Sequence, residues 1–299
     1  MLPPSATDMR RTLADCARVL VLGGQAFMAY PYSDGSPVPE GVDLLHLSDD
    51  AGPVGRVHPV RLGSVGDLSV SVDRLLVLVR ERTTTDSAAE VLAAARGRRA
   101  DEITRLESSA EGRYGPAPMH PMAAAHALLR SMPSEAAVVD EAITTGVYVR
   151  GFHHTDTPRR YSFCRGGGLG WGMPAAVGVA IGLGGVPVLC VVGDGSAMYS
   201  PQALWTAARE HLPVVFAVVD NGQYLILKNY LRGMGGVSAE QERFVGMDLG
   251  EPALDFVALA RSMGVPGTRI EATGDIRCAV GQAVAEGGPH LLHVPITAR

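Results

Sequence analysis

Short apolar runs separated by helical or turn-forming stretches recur along the whole chain. Runs at 18–22, 43–47 and 74–79 are brief, rich in Leu and Val and bounded by polar residues, so they read as buried parallel strands. An Ala-, Glu- and Arg-rich segment follows, and the Gly- and Pro-containing stretch at 112–121 breaks any helix. The alternation then resumes with an apolar helix at 121–131, a strand near 137–140 and a helix at 174–183. Strands near 187–193 and 213–219, helices near 253–264 and 273–286, and a last strand at 290–296 complete it. This order predicts an α/β fold whose parallel sheet is covered on both faces.

At 299 residues the chain has room for about two domains. The pattern places a partial Rossmann-like domain at 1–95, a linker at 96–118 and a second α/β domain at 119–299. Three strands make a small open sheet, marginal when alone.

Composition narrows the function. With 46% hydrophobic residues, 19% charged and a net charge of −5, the chain can build a core and carries no cationic field for nucleic acid. Cysteines at 16, 164, 190 and 278 form no C-x-x-C pair, which argues against a disulfide framework or zinc site and predicts a reducing cytoplasm. The apolar stretch at 169–192 is interrupted by Gly and Pro, so no membrane span is expected. The 36 glycines cluster at strand ends, where a ligand can approach the backbone closely.

The chemistry concentrates between 187 and 224. Strand, helix and strand form one βαβ unit, which brings Asp194 and Asn221 to the carboxyl ends of strands expected to be neighbours. A carboxylate, an amide oxygen and a main-chain carbonyl at Gln223 are half of an octahedral oxygen shell suited to magnesium. Gly193, Gly195 and Ser196 lie where a helix begins, and unpaired N–H groups there favour an anion. A lone Gly-Asp-Gly is often only a turn. Here 24 residues of βαβ pattern separate it from Asp220-Asn221, and a metal–diphosphate site explains that spacing. The rival reading, a nucleotide-binding oxidoreductase, lacks the Gly-x-Gly-x-x-Gly fingerprint.

Gly193-Asp194-Gly195 followed by Asp220-Asn221 resembles the thiamine diphosphate-binding motif, with Asp220 where that motif has its first Asn. Residues 161–178, the run through Gly193–Ser200 and the segment 255–264 are similar to the 2-oxo acid decarboxylase and acetolactate synthase family, benzoylformate decarboxylase in particular. The resemblance implies thiamine diphosphate and Mg2+ as cofactors, with Asp194, Asn221 and Gln223 as metal ligands and Gln223 and Tyr224 beside the cofactor. It further implies that the Gly167 carbonyl meets the aminopyrimidine, that Leu169 props the bent cofactor, and that Thr144 and Thr145 hold the diphosphate. A helix N-cap is an equal reading for the two threonines. Phe163 and Arg165 are candidate substrate contacts, a core aromatic and a surface ion pair being their alternatives.

The family also uses a glutamate from a pyrimidine-binding domain that this sequence does not contain. Residues 1–95 resemble only the second half of the family's central domain. The expectation is a split enzyme: a second polypeptide supplies the pyrimidine domain, the catalytic Glu and the rest of the central domain, as a heterotetramer. The reaction implied is decarboxylation of a small-molecule 2-oxo acid to an aldehyde or enamine intermediate, or carboligation to an acyloin. A non-catalytic cofactor-binding or scaffolding subunit is the alternative from another class.

Overall fold

The computed structural model describes residues 5–24, 26–27, 34–82, 85–153, 160–164 and 166–298. It divides into two compact units, Met1–Gly97 and Arg98–Arg299.

The first unit contains α1 (Ala6–Leu13), β1 (Arg18–Leu22), β2 (Asp43–Ser48), β3 (Leu62–Val65) and α2 (Leu68–Arg82), and α3 (Thr85–Glu111) begins in it. The three strands are parallel in the order β1-β2-β3. Met9 and Leu13 of α1 pack with Phe27 and Leu44 against one face of that sheet. Leu20 and Leu22, opposite Leu45 and Leu47 in register, stay 44% and 51% exposed on the other.

One expectation is corrected. The run at 74–79 is not a strand but lies in α2, none of whose residues is buried; the third strand is β3. A short apolar run carries too little periodicity to separate strand from helix. Asp67 decides it locally, its carboxylate accepting from the Val70 N–H in the manner of an N-cap. Residues 96–111 of the expected linker are helical, part of α3, and the boundary between the two units falls within that linker. Ala, Glu and Arg propensity carries that helix across Gly97.

The second unit runs α4 (Pro121–Ser131), β4 (Ala137–Glu141), α5 (Gly146–Phe152), β5 (Tyr161–Phe163), α6 (Gly172–Leu183) and β6 (Val188–Gly193). It continues through α7 (Asp194–Ala197), α8 (Ala203–Arg209), β7 (Val214–Asp220), α9 (Leu225–Met234) and α10 (Val237–Glu240). Last come α11 (Phe256–Ser262), β8 (Gly267–Arg269), α12 (Asp275–Glu286) and β9 (His290–Pro295). All six strands are parallel, in the order β5-β4-β6-β7-β9-β8.

Alternation along each strand feeds two cores. Val138, Leu189, Val191, Ala217 and Leu292 pack under α4, α5 and α12. Val139, Cys190, Val192, Phe216 and Val218 pack under α6, α8 and α11. Each such Val, Leu or Phe contributes about 1.5–3 kcal/mol by burial. The strand order thereby places the ends of β6 and β7 side by side, with Gly193 opposite Val219. No helix among the described residues is long and apolar enough to cross a membrane.

Candidate functional site

Asp194 is the first residue of α7 and directly follows β6, and Asn221 directly follows β7. Their side chains converge on one atom. The Gln223 N–H donates to Asp194 Oδ2 at 3.2 Å and to Asn221 Oδ1 at 3.1 Å. Asp194 Oδ1 accepts from the Gly195 N–H at 2.8 Å. The Gln223 carbonyl, a third hard oxygen on the same turn, accepts from the Leu225 N–H and keeps a second lone pair.

Asp194 is 4% exposed. Burial pushes its carboxyl up to about 6, and the nearby Asp220 carboxylate pushes the same way against the Gly195 N–H. A divalent cation would offset both. Burial opposes ionisation of Asp220 as well, but bonds from His293 and the Gly222 N–H outweigh it and hold Asp220 below its ordinary value. No three His, Cys, Asp or Glu side chains converge as a metal group among the described residues. The donor set at Asp194 is instead one carboxylate, one amide oxygen and one carbonyl, which suits magnesium.

Glycine at 195 is required by its neighbour: a Cβ there would stand 2.4 Å from Cε1 of Tyr224. Tyr224 is fixed in turn by its N–H bond to the Met247 carbonyl, while the Leu249 N–H returns to the Gly222 carbonyl. The turn at 222–224 is therefore pinned to the segment at 247–249. Ser196 is 5% exposed beside Asp194.

The loop between β5 and α6 carries Gly167, at φ +69°, and the half-buried Leu169. Two ties hold its end. Ser200 Oγ donates to the Gly170 carbonyl, and the Glu141 carboxylate accepts from the N–H groups of Gly170 and Gly172. Glu141 is 1% exposed, and burial raises its pKa. A Cβ on Gly172 would meet Glu141 Oε2 at 2.7 Å, so this turn is shaped around the carboxylate. Sequence reasoning missed Glu141 and its neighbour Asp140, which accepts from the Tyr161 hydroxyl at 2.7 Å and the Ala142 N–H at 3.0 Å. Two consecutive carboxylates closing an apolar strand were the available signal.

Thr145 is 1% exposed and occupies the N-cap position of α5 without a side-chain capping bond; Thr144 is half-buried beside it. Phe163, the last residue of β5, is 42% exposed and stacks on Tyr161 at 6.0 Å. It is two strands removed from β6. Arg165 lies outside the described residues. The structure thus joins Asp194, Gly195, Asn221, Gln223 and Tyr224 in one constellation. Hydrogen bonds tie Gly170 to Ser200 and Glu141, whereas Phe163 stands apart from that network.

Comparison with known proteins bears on this site. The family described as thiamine pyrophosphate enzyme, C-terminal TPP binding domain, matches residues 144–294. Benzoylformate decarboxylase of Pseudomonas aeruginosa is 30% identical over 99% of this chain, which covers 51% of that protein. The acetolactate synthase isozyme 2 large subunit of Escherichia coli is 31% identical over 85% of the chain, which covers 43% of it. The solved thiamine diphosphate-dependent 4-hydroxybenzoylformate decarboxylase of Rhodococcus jostii superposes with a TM-score of 0.80 at 26% identity. That match covers 99% of this chain and 52% of the other. The chain spans about half the length of these proteins, or less.

Proposed function

The chain belongs to the thiamine pyrophosphate enzymes, and from that premise we propose that it is the diphosphate- and magnesium-binding part of a 2-oxo acid decarboxylase. The observation that carries the reading is the single Gln223 N–H shared by Asp194 and Asn221. Asp194, Asn221 and the Gln223 carbonyl would hold Mg2+. The N–H groups of Gly195 and Ser196, with Thr144 and Thr145, would face the diphosphate. Gly167 and Leu169 would orient the heterocycles, and Gly193 would let the backbone pass close to the ion. When bound, thiamine diphosphate supplies an electron sink for the pair released as CO₂ leaves the substrate.

Phe163 and Arg165 remain candidate substrate contacts, and an exposed ring at 163 suits an aromatic acyl group. Likeness to benzoylformate decarboxylase favours aldehyde formation. Likeness to acetolactate synthase favours carboligation as the second reading.

A partner polypeptide completes the enzyme in this reading, bringing the pyrimidine domain and its glutamate into a heterotetramer. One observation supports it: the first unit leaves Leu20, Leu22 and Leu62 open to solvent. Calorimetric titration of thiamine diphosphate with Mg2+, into the chain alone and with a candidate partner, tests the proposal. Saturable binding that requires Mg2+ is expected. Absence of binding in both mixtures refutes the enzyme reading, and binding without turnover in the complex leaves the scaffolding subunit.

A further inference from the structure

Asp220 stands where the motif of the resembled family has Asn, and the structure gives it two fixed donors. The Gly222 N–H reaches Oδ1 at 2.9 Å, and His293 Nε2 lies 2.8 Å from Oδ2. His293 sits on β9, 4% exposed, with its ring edge-on to Phe256 at 5.4 Å. Its other nitrogen, Nδ1, is 3.3 Å from Nη1 of Arg269 at the end of β8. The Arg269 Nε is itself held 3.2 Å from Glu271 Oε1.

A guanidinium has five N–H donors and no acceptor, so Nδ1 opposite it must offer its lone pair. The ring is then the neutral Nε2–H form, and that hydrogen points at Asp220. Two donors therefore meet two carboxylate oxygens. An Asn here has one acceptor oxygen, and its NH₂ would confront either Gly222 N–H or His293 Nε2–H.

We propose that Arg269, by barring His293 from the Nδ1–H tautomer that an Asn at 220 would require, makes Asp220 the positioning residue of the Asn221–Gln223 turn, and that restoring the motif's Asn at 220 would weaken cation binding in this chain. The chain of bonds crosses three neighbouring strands, β8, β9 and β7. It ends on the Gly222 N–H, one residue from the N–H that Asp194 and Asn221 share. Asp220 touches no substrate in this account and acts through that turn. The proposal rests on the cofactor reading for its consequence, not for its geometry.

The test uses the full chain as wild type, Asp220→Asn, Arg269→Met and the double variant. Two-bond ¹H–¹⁵N spectra report each histidine tautomer, with His293→Gln identifying the signal. Water-proton relaxation reports Mn2+ binding in the presence of thiamine diphosphate. Wild type and Arg269→Met should both show the Nε2–H form and similar affinity. Asp220→Asn should lose roughly tenfold in affinity, the size expected for one mismatched buried donor. In the double variant His293 is free to take the Nδ1–H form and accept from Asn Nδ2, so affinity should return to within about threefold of wild type.

A wild-type ring that is Nδ1–H or doubly protonated overturns the proposal. So does an Asp220→Asn variant that binds as tightly as wild type, or a double variant no better than the single one. Should Asp220→Asn fail to fold, the wild-type and Arg269→Met ring spectra decide. Failure of wild type to bind Mn2+ and thiamine diphosphate, with the partner present, would sink the cofactor reading while the ring spectra still judge the relay.

Discussion

The two parallel sheets start from the same kind of sequence and end in different surroundings. Strands β4, β6, β7 and β9 are buried almost throughout, with one core on each face. Strand β1 alternates exposed and half-buried residues, and all four residues of β3 are exposed. Among the described residues its small core, Met9, Leu13, Phe27 and Leu44, occupies one face. Leucine-rich strands cost solubility unless something covers them, and the open face of the first unit is the surface that the proposed partner would cover. The sealed sheet has a different use. Its rigidity holds two strand ends in the register that Asp194 and Asn221 need.

The largest effect should come from the sealed sheet's site. Asp194→Ala is expected to remove detectable thiamine-dependent turnover from the assembled enzyme, in a steady-state decarboxylation assay, while the far-ultraviolet circular dichroism stays unchanged. Full turnover in that variant would refute the metal assignment.

Packing gives the next contrast. Phe216 is fully buried, and Phe216→Ala should cost about 3–5 kcal/mol in urea denaturation. Leu22→Ala, on the open face, should cost about 0.5 kcal/mol or less. Equal losses would mean that the first sheet is covered after all.

Gly195→Ala sharpens the picture within the site. Its Cβ would collide with the Tyr224 ring, so thiamine diphosphate affinity should fall by about tenfold, a cost of roughly 1–3 kcal/mol for overpacking. Adding Tyr224→Ala should relieve most of that loss, as calorimetric titration can show. An unimproved double variant would argue that Gly195 matters for another reason.

The smallest change in stability, about 0.5 kcal/mol or less, is expected from Leu22→Glu. It should nonetheless abolish co-elution with the partner in size-exclusion chromatography. Unaltered co-elution would place the partner's contact elsewhere.

Strands β6 and β7 were legible because each is a long apolar run ending in a turn residue beside a polar pair. The helix at α4 was legible from its apolar run, and the structure adds that Pro121 is its first residue and that His120 accepts from the Met122 N–H. The apolar run at 74–79 was misread because its five Leu and Val residues fit strand and helix alike. Glu141 escaped notice since nothing local links it to Gly170 and Gly172, thirty residues later in the chain. The short strands β5 and β8 escaped for lack of length: three residues carry no period.

By itself the sequence determined the α/β class, the βαβ unit that carries Asp194 and Asn221, and the kind of oxygen ligands available. Those follow from local periodicity and from the rule that parallel crossovers return to the same sheet end. Only the tertiary structure decided that both side chains share the Gln223 N–H, that Glu141 shapes the loop after Gly167, and that His293 and Arg269 stand behind Asp220. Each of these joins segments far apart in the sequence. Such contacts depend on strand order and register, which no single segment encodes.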